Sequence, residues 1–310
     1  AWEGYWRSRG YRPSLNSTEG LWAFQRERVT RNDVVIVGDS RTRFDLDLDT
    51  WARASGGRRP VLLGIDGSCA RPVLSDLAAD ERFTGTVICN VTEPLFFAPG
   101  GPGLQRSEDR LRYFRNRTLS QIASDYLAME LESRLVCLHK EDRSLSTLLG
   151  QIPIPNRPGA MIPPQLGIVT ADNRSVMIER LEHDQEFREH VKKIWLGLMD
   201  FAPPVEPKVR DAILASVAAD VERIRARGGR VIFLRLPSTG QYLEIEKTKF
   251  PRVEHWDLLL ERTGAPGIHF EDYEELRGFD CPEWSHLTAA DAVKFTERLI
   301  QVIHRRGLEP

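Results

Sequence analysis

The chain has 310 residues, 41% of them hydrophobic and 28% charged, which is ordinary for a globular protein able to bury a substantial core. A formal net charge of −2, with arginines interleaved among acids, offers no basic face for nucleic acid. No run approaches the ~20 apolar residues of a membrane-spanning helix, and Cys69, Cys89, Cys137 and Cys281 lack the Cys-x-x-Cys spacing of a metal cluster and are too few for a disulfide framework at this length, their pairing state being left open.

Residues 1–30 read as an N-terminal segment. Its Trp2, Tyr5 and Trp6 either pack on the domain or lie beside a membrane. The apolar run Val34-Val35-Ile36-Val37 then stops at Gly38-Asp39-Ser40-Arg41, a buried strand feeding a sharp turn with a hydroxyl on it. A helix is expected over 48–54, a second strand over 61–63, a helix over 73–79 and a third strand over 86–89. Residues 98–207 interrupt this rhythm. They open on a loop, Pro99-Gly100-Gly101-Pro102-Gly103, and continue with a helix at about 119–135. Five prolines between Gln151 and Gln165 forbid regular structure there. A strand pair within 169–179 and a helix over 184–199 follow. The rhythm then resumes: a helix over 209–227 stopping at Gly228-Gly229, a strand over 231–234, a helix over 255–262, a strand over 268–270 and a closing helix over 288–305.

Continuous apolar strands suit a sheet covered on both faces, and alternation with helices implies an α/β fold. The expectation is a doubly wound, mainly parallel five-stranded sheet built from 31–97 and 208–310. Residues 98–207 are inserted as a cap over the strand ends. Ligands of such sheets bind beyond the carboxyl ends of the strands, and Ser40, Gly67 and Asn90 all fall just past expected strand ends.

Near the end of the chain, Asp280-Cys281-Pro282-Glu283-Trp284-Ser285-His286 sets carboxylates three and six residues before a histidine. A serine hydroxyl is a weak nucleophile until a base takes its proton, and a carboxylate can hold the base's tautomer. The order Ser…acid…His therefore points to nucleophilic catalysis by Ser40 and His286, with Glu283 or alternatively Asp280 as the acid. The structural alternatives are a helix cap for Ser40 and solvated loop charges for the acids. Asp39, Arg41, Arg43, Arg235 and Ser238 flank the expected crevice and are candidates for its substrate wall. His183, Glu186 and His190 sit at helical spacing and read as a solvated face rather than a metal site.

Gly38-Asp39-Ser40 resembles the first sequence block of the SGNH (GDSL-like) hydrolase superfamily, and Glu283-x-x-His286 resembles its last, normally Asp-x-x-His. Leu63-Gly64-Ile65-Asp66-Gly67-Ser68 is similar to the second block. Asn90-Val91-Thr92-Glu93 stands where the third, Gly-x-Asn-Asp, belongs, which puts the family's asparagine on Thr92 unless Asn90 takes its role. The middle of the chain matches none of these blocks. The resemblance implies a flavodoxin-like SGNH fold with an oxyanion site made by Ser40, Gly67 and Asn90 or Thr92. Within the superfamily the chain looks closest to membrane-anchored polysaccharide O-acetyltransferases and the teichoic-acid D-alanylation protein. That implies O-acylation of an envelope or exported polysaccharide without cofactor or metal. It also implies an extracytoplasmic setting, an N-terminal anchor and a membrane-bound acyltransferase as partner. A carbohydrate esterase and a non-catalytic glycan-binding or scaffold domain are the alternatives.

Overall fold

The computed structural model describes residues 2–140, 143–150, 152, 164–200 and 204–309. Most of the five-proline stretch lies outside them.

Seven strands occur among the described residues: β1 (Val34–Val37), β2 (Val61–Leu62), β3 (Thr86–Asn90), β4 (Gly167–Val169), β5 (Ser175–Met177), β6 (Arg230–Arg235) and β7 (Gly267–His269). Side chains alternate across a strand, and this sorts the core into two layers. Val35, Val37, Val87, Cys89, Val231 and Phe233 face the helices Arg71–Ala79, Pro207–Ala226 and Trp256–Thr263. Val34, Ile36, Ile88, Ile232, Leu234 and Ile268 face the helices Leu48–Ala54 and Ala289–Arg305. Five strands form one all-parallel sheet in the order β2-β1-β3-β6-β7, while β4 and β5 make a separate antiparallel pair. The sheet is thus wound on both faces. Its connections diverge between β1 and β3, where ligands of open α/β sheets bind.

Several helices lacked a clear sequence signal. Glu19–Glu27 is capped by Thr18, whose hydroxyl accepts from Leu21 N–H at 3.2 Å. It buries Trp22 in the first core layer, with the indole N–H donating to Leu63 O at 3.1 Å, so part of the N-terminal segment belongs to the central core. A helix over Pro102–Asn116 begins inside the expected loop. Proline is no obstacle in a first helical turn, where its missing N–H would have no partner. Helix Trp2–Ser8 gathers Trp2, Tyr5 and Trp6 with Tyr11 in edge and stacked contacts. Its Glu3 accepts from Val136 and Cys137 N–H at 3.1 and 2.9 Å. These aromatics therefore pack on one another beside the inserted region. None of the described helices is long and apolar enough to cross a membrane. All four cysteines are free thiols.

The inserted region divides in two. Its first helices, Pro102–Asn116 and Leu119–Glu132, pack beside Glu19–Glu27. Its second part, β4, β5 and the helix Gln185–Asp200, packs on the turn after β1. There Leu166, Met177, Leu181, Phe187 and Val191 enclose Phe44.

Candidate active site

The chain turns sharply after β1 because residue 38 has no side chain. A Cβ there would lie 2.5 Å from Thr42 Cγ2 and 2.7 Å from Asn90 Cβ. Asp39 then caps the helix Ser40–Asp45, accepting from Arg41 N–H at 3.0 Å, and Ser40 stands at the first helical position. On the far side of the sheet edge, Glu283-Trp284-Ser285-His286 makes a tight turn. Trp284 takes φ +78°, an uncommon conformation for a bulky residue, and its carbonyl accepts from Thr239 N–H at 3.0 Å. This turn aims Glu283 and His286 back at the same point.

His286 Nε2 lies 2.8 Å from Ser40 Oγ, and His286 Nδ1 lies 2.8 Å from Glu283 Oε1. Glu283 is 0% exposed and His286 1%. Asp280 is exposed, and among the described residues its side chain meets Thr239 Oγ1, at 3.4 Å. Of the two carboxylates open in the sequence, geometry thus joins Glu283 to the histidine. Burial pushes the His286 imidazole down, but the Glu283 charge and hydrogen bond, with a smaller contribution from Asp45, outweigh it and raise the pKa above the ordinary histidine value. Phe44 and Trp195 wall the ring, with centroids 4.4 and 6.0 Å away.

The loop after β2 runs alongside the nucleophile turn, where Ile65 N–H donates to Gly38 O at 3.0 Å. Gly67 adopts φ +58°, and its carbonyl accepts from Arg106 Nη1 at 3.0 Å. Among the described residues, neither Ser40 N–H nor Gly67 N–H has a protein acceptor. Both stay available to a developing oxyanion.

Asn90 does not fit the expected donor role. It is buried, and its two amide protons go to Asp39 Oδ1 and Thr92 Oγ1, each at 3.1 Å. Thr92 is the acceptor of the second bond and is buried as well. The pair instead ties the end of β3 to the cap of the nucleophile helix.

The expected substrate wall is also corrected. Asp39, Arg41, Arg43, Arg235 and Ser238 are all buried. Arg41 donates to Glu246 Oε1 at 2.7 Å, and Arg235 donates to Glu246 Oε2 at 2.6 Å and to Glu93 Oε1 at 3.0 Å. Ser238 Oγ donates to Glu246 at 2.6 Å. Arg43 donates to Asn173 O at 2.8 Å and pairs with Asp66. Guanidinium groups this deep need carboxylate or carbonyl partners, and these partners hold them within the protein. Burial works to neutralise Glu246, but Arg235 and Arg41 prevail and hold its pKa below the ordinary value. Burial prevails over Arg235 at Glu93, whose pKa is raised. Glu246→Gln should therefore destabilise the fold by about 3 to 5 kcal/mol, because two buried cations lose their shared anion. The urea midpoint would show it, and a midpoint equal to that of the unsubstituted chain would refute it.

Three residues close to the site carried no sequence signal. Asp45 is fully buried and accepts from Leu287 N–H at 2.8 Å, linking the nucleophile helix to the histidine loop. Burial pushes its carboxyl up to about 8, more than the charges of His286 and Arg41 pull it down. Glu246 and Trp195 come from helices that the strand-end motifs do not touch. His183, Glu186 and His190 are exposed. No protein-family model and no curated protein matches this chain.

Proposed function

We propose that the chain is an SGNH-type serine O-acyltransferase working through an acyl-Ser40 intermediate. The observation that carries this reading is the continuous path Ser40 Oγ–His286 Nε2 and His286 Nδ1–Glu283 Oε1, both links 2.8 Å long. Glu283 keeps the Nδ1 proton in place, leaving Nε2 free to accept. His286 takes the Ser40 proton as Oγ attacks the carbonyl carbon of an acyl donor. The oxyanion is received by the N–H groups of Ser40 and Gly67. The imidazolium returns its proton to the leaving group, and the acyl group stays on Ser40. A sugar hydroxyl, deprotonated by His286, then attacks the ester carbonyl, and the imidazolium returns that proton to Ser40 Oγ as the acyl–oxygen bond breaks. No metal or nucleotide enters these steps.

The acceptor in this reading is an envelope or exported polysaccharide. The setting is extracytoplasmic, behind an N-terminal anchor and beside a membrane-bound acyltransferase, as the sequence resemblance implies. The Asn90 amide protons go to Asp39 and Thr92 rather than to the oxyanion, so the donors in this reading are the two backbone N–H groups, which agrees with slow turnover in water.

The test is acetyl release from p-nitrophenyl acetate, with and without candidate oligosaccharides, together with the intact mass of the protein. Transfer predicts an acetyl adduct on Ser40, slow release in water, acceleration by the right sugar and an O-acetylated product. Fast release indifferent to every sugar would make the chain an esterase. Glycan binding without any adduct would make it a binding or scaffold domain.

A further inference from the structure

We propose that Trp195, from the inserted cap, is a positioning residue of the catalytic triad: its indole N–H holds Glu283 Oε2, so the cap completes the charge arrangement that activates His286. The inference rests on the acyl-transfer reading above.

Within Gln185–Asp200, Phe187, Val191 and Ile194 are buried on one stripe, of which Phe187 and Val191 pack with Phe44. Asp184 Oδ1 anchors its first turn by accepting from Phe187 N–H at 3.0 Å. Trp195 follows on that stripe. Its Nε1 donates to Glu283 Oε2, and its ring meets the His286 ring edge-on. Glu283 is shut off from water, so its charge depends on fixed donors. His286 serves Oε1. Oε2 has Trp195 and a longer bond from Ser285 N–H at 3.3 Å. Trp195 thus supplies the main donor to half of the carboxylate, from a segment far away in sequence.

The sign of its effect follows. When the catalytic base is neutral, the Glu283–His286 pair carries one net negative charge; when His286 is protonated, the pair is neutral overall. A donor to Glu283 favours the first state. Without it, the pair takes up a proton more readily and His286 titrates at higher pH. The other charged or titratable groups facing the pair are Asp45 and Arg41 on the nucleophile helix and Cys281 on its own loop, while Lys192 of the cap helix lies 4.9 Å over the Trp284 ring. None of them is altered by Trp195→Phe.

In the full chain, Trp195→Phe should move the His286 titration, read by NMR, and the acid limb of kcat/KM for p-nitrophenyl acetate upward by about one unit. The same substitution made on top of Glu283→Gln should leave the His286 titration unmoved. No shift, a downward shift, or equal shifts in both backgrounds would overturn the proposal, because packing alone does not discriminate between a carboxylate and its amide. In the unsubstituted chain, the Trp195 indole proton resonance should follow the His286 titration, and an indole resonance indifferent to it would also overturn the proposal. That measurement needs neither a folded variant nor turnover. If Ser40→Ala retains full acetyl release, the acyl-transfer reading fails, while the indole resonance still decides whether Trp195 and Glu283 are coupled.

Discussion

Ser40→Ala should lower acetyl release from p-nitrophenyl acetate by on the order of 10⁴-fold or more, down to what binding and two backbone donors supply. The nucleophile is lost, while the local fold has no reason to change. Asp39 still caps Arg41 N–H, and Thr42 Oγ1 still donates to Asp39 O at 2.7 Å. Adding His286→Gln to Ser40→Ala should cost little more, because a base without a nucleophile has nothing to activate. The measurement is the release rate, with circular dichroism to show that the fold persists. A Ser40→Ala chain that retains a tenth of the rate would rule out acyl-Ser40 as the intermediate. Losses that multiply in the double variant would separate His286 from Ser40.

The fold was legible because local signals carried it. Runs of three or four mostly apolar residues bounded by turn residues marked the strands of the sheet, and the stripe through Ala292, Phe295 and Leu299 marked the closing helix. The ends of β1 and of the acid–histidine loop were legible for the same reason: Gly38 and the Glu-x-x-His spacing act over a few residues. What failed to show was nonlocal. Arg41 and Arg235 read as substrate wall because their anion, Glu246, lies on the helix Gly240–Lys249, which has no sharp apolar stripe. Asn90 looked like an oxyanion donor because Asp39, which takes one of its protons, belongs to another strand's end. Trp195 could not be paired with Glu283 from sequence, since 88 residues separate them and only the packing of the inserted helix on Phe44 brings them together. Trp284 at φ +78° had no signal either, since glycine, not tryptophan, announces that conformation.

Glu283→Gln should lower the rate by about 10⁴-fold with little change of shape. The reason lies in who donates to whom. In the unsubstituted chain both carboxylate oxygens accept, Oε1 from His286 and Oε2 from Trp195 and Ser285. A glutamine has one oxygen and one NH₂ to place in these positions. Turned to keep its oxygen on Trp195 and Ser285, it points its NH₂ at His286 Nδ1. The ring must then carry its proton on Nε2, where it donates to Ser40 rather than accepting from it. Turned the other way, the NH₂ confronts the Trp195 indole N–H across a buried contact. Either arrangement disables the base or strains the cap. The pH profile should also reverse its displacement. His286 is raised because the Glu283 charge outweighs burial; with the charge gone, burial prevails and the ring titrates below its ordinary value. The residual activity of Glu283→Gln should therefore persist to lower pH than that of the unsubstituted chain, the opposite of the shift expected for Trp195→Phe. Parallel NMR titrations of His286 in the two variants would show it. Shifts in the same direction would mean that Glu283 does not set the charge of His286, and the acid would have to be sought elsewhere, with Asp45 next in reach.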